Sequence, residues 1–149
     1  MPNTKILFAA TFAAIAAATT SAPAFAQPND TMVEAATEEV LHEGVWTKKS
    51  FKSAGSWSIV SDDSGKLFVK LSDDFKTRNA PDLKIFLSPQ AAADTTGRNA
   101  TDGALLISPL ESNRGAQIYE IPEGTDLDSF SSILIHCQAY SKLWSASDL

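Results

Sequence analysis

One cysteine, two histidines and two methionines in 149 residues leave little for metal or covalent-cofactor chemistry. A lone cysteine cannot form an intrachain disulfide. No Cys-x-x-Cys-His run is present for covalent haem, and no paired-histidine spacing for zinc or copper. A serine-centred nucleophile elbow and a phosphate-cradling glycine loop are both missing. Outside the N-terminus no apolar run is long enough to span a bilayer. Basic residues are outnumbered, 12 to 18, and the formal net charge of −6 disfavours nucleic acid or an anionic membrane surface as partner.

What is present begins with an export-type segment. Lys5 is the sole charge ahead of the alanine-rich apolar run Ile6 to Ala18, and Ala24-Phe25-Ala26 supplies small residues at the −3 and −1 positions of a signal-peptidase site. We expect a signal peptide over residues 1–26, cleavage after Ala26, and a periplasmic or secreted product with no integral membrane segment after cleavage. No cysteine sits at the cleavage site, so a lipid anchor is not expected. A lone thiol in an oxidising compartment is itself unusual.

Residues 27–43 read as an N-terminal arm or short helix. Thr31 and Glu34 form a capping-box pattern, Val33, Ala36, Val40 and Leu41 follow at helical spacing, and Gly44 is the expected stop. From Val45 the period changes to two. Val45 to Lys52 is a candidate strand; Gly55 separates it from Trp57 to Val60. Ser61 to Gly65 is a turn leading to the alternation of Lys66 to Leu71, and Leu83, Ile85 and Leu87 mark another strand. Gln90 to Asp102 reads as a polar, mobile loop of small residues. Ala104 to Ile107 and Ala116 to Ile121 are short apolar pieces, and Asp126 to Phe130 suits a single helical turn. The apolar run Ser132 to Tyr140 is the organising strand. It puts Ile133, Ile135, Cys137 and Ala139 on one face and Leu134, His136, Gln138 and Tyr140 on the other. Lys142 to Leu149 ends the chain. Short strands, turn residues and no crossover helices predict an all-β antiparallel β-sandwich over residues 44–149.

Several separated stretches carry a family resemblance: Gly55-Ser56-Trp57-Ser58-Ile59, Asn79-Ala80-Pro81-Asp82-Leu83, Leu87-Ser88-Pro89, Asn113 to Pro122, and Ile133 to Leu149 with Cys137. In order and spacing they resemble the DM-thirteen, or electron-transfer DM-thirteen, domain, from about Gly44 to Leu149. The resemblance implies a DOMON-like sandwich and a redox role centred on a family cysteine, which maps onto Cys137. It departs at His136, where the family commonly has tryptophan.

From the residues alone Cys137 has two readings. It shares a face with isoleucines, which suits a small core residue, and a reactive thiol would need exposure and a favoured thiolate. A Cys/His dyad fails because neighbours on a strand point to opposite faces. His136 is a weak candidate axial ligand, relevant only if haem is bound; no cofactor is otherwise evident and no metal site is expected. The pairs Asp62/Asp63 and Asp73/Asp74 read as solvated turns rather than calcium ligands. Trp46, Trp57 and Trp144 are expected in the core, and Asp82 and Arg114 in structural turns. The expected function is an exported redox or electron-transfer module acting through Cys137 with an unknown redox partner protein in the cell envelope. It is accessory in character rather than a turnover enzyme. The rival is a cell-envelope ligand-binding or scaffold sandwich with a buried structural cysteine.

Overall fold

The computed structural model describes residues 37–149. Nine strands are described there: β1 Glu39–Val45, β2 Thr47–Lys48, β3 Ser56–Ser61, β4 Leu67–Leu71, β5 Leu83–Ser88, β6 Leu105–Pro109, β7 Gln117–Glu120, β8 Ser132–Cys137 and β9 Lys142–Asp148. They pair antiparallel in two sheets, β1-β3-β4-β7 and β2-β9-β8-β5-β6. This is the antiparallel sandwich that the alternation predicted. No described helix is long and apolar enough to cross a membrane.

The period-two strands behave as their pattern requires. Trp57, Ile59, Val69, Leu71 and Tyr119 from one sheet meet Ile85, Leu87, Ile133, Ile135 and Trp144 from the other in a single buried cluster. Apolar side chains on facing sheets leave water together, and that burial is the main drive for the fold. Trp46 stands between β1 and β2, where the chain leaves one sheet for the other, and its ring lies 6.3 Å from both Trp57 and Phe75. All three tryptophans are core residues. Gly55 is required where it stands. Its φ is +86°, and a Cβ there would sit 2.7 Å from the Phe75 backbone.

Two expectations need correction. The helix expected up to Gly44 is absent over its described part: residues 39–45 form β1, paired with β3. The capping box Thr31/Glu34 lies outside the described residues. Helical spacing loses here to sheet pairing, and a register shift between Val40 and His42 breaks the two-residue phase that would have marked a strand. The Gln90 to Asp102 segment, expected to be mobile, is folded onto the outer face of β5, β8 and β9. Ala92 and Ala100 are buried there with Phe86, Leu134, Leu143 and Ala146, and Ala104 packs against them. Asp148 Oδ1 accepts from the Ala92 amide at 2.6 Å, and the Ser132 hydroxyl donates to the Gln90 carbonyl at 2.6 Å.

A smaller expectation holds. Asp126 caps a 3-10 turn over Leu127–Ser129, accepting from the Asp128 amide. One expectation here does not hold: the organising strand, read as far as Tyr140, stops at Cys137, and Gln138–Tyr140 turn away as a second 3-10 turn with exposed side chains, so Gln138, Ala139 and Tyr140 share no face with the strand.

Candidate functional site

β8 is the middle strand of the five-stranded sheet, between β5 and β9, and all six of its residues are buried. Its last residue, Cys137, pairs in register with Leu83 of β5 and Lys142 of β9. The thiol is 0 % exposed and belongs to the inter-sheet cluster with Trp46, Leu83, Ile135 and Trp144. No disulfide is formed. In this closed fold the sulfur touches no solvent and therefore no reaction partner.

Just beyond Cys137 the packing thins. The Gln138 amide donates to the Asp82 carbonyl at 3.1 Å, and the Ser141 amide to the Gln138 carbonyl at 3.1 Å. Ser141 closes the turn at φ 46°, ψ 46°, the left-handed region, and is the sole non-glycine residue with positive φ among the described residues. A side chain held there costs on the order of 1–2 kcal/mol. So the thiol stands on the last residue of the strand, one residue from exposed chain.

His136 points the other way. Its ring is 3 % exposed, lies edge-on to Phe86 at 6.1 Å, and is covered by the 90–104 loop. Nε2 is 3.0 Å from the Gly97 carbonyl; a carbonyl only accepts, so Nε2 is the donor in this bond. Nδ1 is buried with no hydrogen-bond partner. Gly97 has to be glycine, since a Cβ there would fall 2.2 Å from the Ser141 carbonyl oxygen. With one ring nitrogen occupied and the other sealed, His136 does not fit an axial haem ligand in this fold. The opposed directions of His136 and Cys137 also rule out a dyad between them.

The remaining candidates separate. His42 lies on β1, in the other sheet. Met32 lies outside the described residues. Asp62 is consumed by its own turn: its Oδ1 accepts from the Ser64 hydroxyl and from the Ser64 and Lys66 amides, and the Ser64 bond leads in holding its carboxyl below the usual range. Asp74 accepts from the Ser72 hydroxyl at 2.6 Å. Asp82 pairs with Lys84 at 3.2 Å. Among the described residues no group of three or more His, Cys, Asp or Glu side chains comes together as a metal site. Residue reading missed Gly97, Ser141 and a buried hydroxyl relay, in which Ser53 meets Thr77 at 2.8 Å and Ser145 at 2.7 Å. Alanines at 91, 92, 93, 100 and 104 were the available signal that the loop was a cover.

A family model described as Electron transfer DM13 matches residues 46–147. No curated protein and no solved structure matches the chain.

Proposed function

We propose that this chain, which belongs to the electron transfer DM13 family, is an exported accessory redox module whose Cys137 exchanges electrons with a partner protein of the cell envelope. The observation that carries the reading is the family match, which spans Cys137, the strands β2 to β8 and all but the last residue of β9. The export-type sequence of residues 1–26 supports the location.

Burial determines how such a thiol works. A lone cysteine in an oxidising compartment stays reduced when oxidants cannot reach it, and Cys137 meets that condition. Exchange then runs from an opened state in which the Gln138–Ser141 turn lifts away from the end of β8. There Sγ loses its proton to solvent and attacks a disulfide of the partner. The partner's S–S bond breaks, a Cys137–partner disulfide forms, and the released partner thiolate takes up a proton. The chain has no second cysteine to resolve that bond, so a partner thiol must. The module thus accepts or returns oxidation one sulfur at a time.

A second reading is favoured by one observation. The thiol at 0 % exposure in an aromatic cluster is also what a scaffold or ligand-binding sandwich with a structural cysteine would have. Thiol labelling of the native protein over a low-denaturant series separates the two. Local opening gives a labelling rate that stays flat until the unfolding transition. A rate that follows global unfolding at every denaturant concentration overturns the redox reading and leaves the scaffold.

A further inference from the structure

The chain is acidic overall, yet cations without a carboxylate partner gather at the Cys137 end of the sandwich. Among the described residues the ion pairs are Lys66–Glu120, Lys70–Glu38 and Lys84–Asp82. Arg78, Arg98 and Lys142 take part in none of them. The Arg78 guanidinium lies 4.9 Å from the centre of the Phe51 ring and the Lys142 ammonium 5.8 Å from it. Phe51 in turn rests on Trp144 at 4.1 Å, and Trp144 belongs to the cluster that holds Cys137.

Two open clefts meet at Lys142. One, of about 310 Å³, is bounded by Phe51, Arg78, Tyr140 and Trp144; the other, of about 490 Å³, by Ser50, Arg98 and Ser141. Among the described residues no carboxylate lines either cleft. Asp82, beside the turn, is neutralised by Lys84. Lys48, Lys49 and Lys52 extend the charge along β2 and the residues after it, where the chain hydrogen-bonds to β9. Asp94 and Asp102 share the loop that carries Arg98 but line neither cleft, and other acids lie farther along the chain. Asp62, Asp63, Asp73 and Asp74 occupy turns flanking β4, and Asp126 and Asp128 the connection before β8.

Exposed cations around half-buried and exposed aromatic rings have the make-up of a protein interface. Tyrosine, phenylalanine and arginine anchor such surfaces, and opposite charge steers encounter. The clefts are too open to enclose a small anion. The geometry points to a docking surface for a partner protein that presents a cluster of Asp and Glu side chains. It spans Phe51, Arg78, Arg98, Tyr140 and Lys142. The inference rests on the redox reading for its purpose, because this surface borders the turn through which Cys137 would be reached.

The test is an NMR titration of isotope-labelled native protein with a short polyglutamate peptide, read without any thiol chemistry. Shifts should concentrate at residues 48–52, 78, 98 and 140–143, and affinity should fall roughly tenfold from about 20 to about 200 mM salt. The exposed double variant Arg78→Glu/Lys142→Glu should weaken binding at least about tenfold with an unchanged melting curve; Arg78→Gln/Lys142→Gln should fall between it and the native protein. Shifts elsewhere, no shifts, or reversal without effect overturns the proposal. So does a response to inorganic phosphate or phosphatidylglycerol vesicles that polyglutamate fails to reproduce. Polyglutamate binding alongside a thiol that labels only on global unfolding keeps the surface and removes the redox reading. No binding alongside a flat labelling rate does the opposite.

Discussion

The two faces of β8 are both dry but are covered by different means. Toward the other sheet, Ile133, Ile135 and Cys137 meet a wall of large side chains drawn from several strands, Trp57, Ile59, Val69 and Tyr119 among them. Toward the outside, Leu134 and His136 meet a loop whose buried side chains are alanines and a threonine, pinned by the bond from His136 to Gly97. The first cover is distributed over two sheets, so over Ile133 and Ile135 it cannot be lifted without unfolding the domain, while Cys137 is the last residue of β8 and adjoins the Gln138–Ser141 turn. The second relies on close backbone approach and a few hydrogen bonds, so it can open alone. Adjacent residues thus report different things: Cys137 the end of β8 and its turn, His136 the loop.

The largest expected effect breaks the inter-sheet side. Trp57→Ala removes a ring that is 1 % exposed and should cost about 3–5 kcal/mol in denaturant unfolding. A loss below about 1 kcal/mol would mean that the sheets do not depend on that wall. Next comes the loop. Gly97→Ala drives a Cβ into the Ser141 carbonyl and should cost about 1–3 kcal/mol. Hydrogen exchange should show protection lost across residues 90–104 while β3 and β4 keep theirs; equal loss everywhere would erase the distinction between the two covers.

Cys137→Ser places a hydroxyl in an apolar cluster and should cost about 1–2 kcal/mol, read as a lower midpoint at constant slope. His136→Phe keeps a ring but leaves the Gly97 carbonyl without its donor, for about 1 kcal/mol confined to the loop. The smallest effect is alkaline and belongs to the inter-sheet side. Burial raises the Tyr119 phenol above its ordinary 10.0, and the charge of Glu111 adds to this. The folded state then holds that proton more tightly than the unfolded chain. Stability should be level below pH 10 and decline as pH rises through the folded value, and Tyr119→Phe should flatten the decline.

Much of the sandwich was legible because strands with one wet and one dry face write a two-residue period into the chain, as Lys66 to Leu71 and Leu83 to Leu87 do. β1 was not legible. It is an edge strand whose Val40, Leu41 and Val45 are exposed, and the register shift at Leu41 removes the phase that a period would reveal. The candidate residues were readable one by one, and so was the opposition of Cys137 to His136, since alternation alone requires it.

Local order therefore determined which side chains of β8 share a face, the turns around Asp62 and Asp126, and the want of a second thiol. Whether Cys137 meets water, and that the Gln90 to Asp102 segment forms a cover, was decided by tertiary structure. Alternation assigns a residue to a face, but what packs there comes from residues as far as 39 and 92 positions away. The contacts of Ser53 with Ser145 and of His136 with Gly97 show it: each joins segments whose own patterns carry no trace of the other.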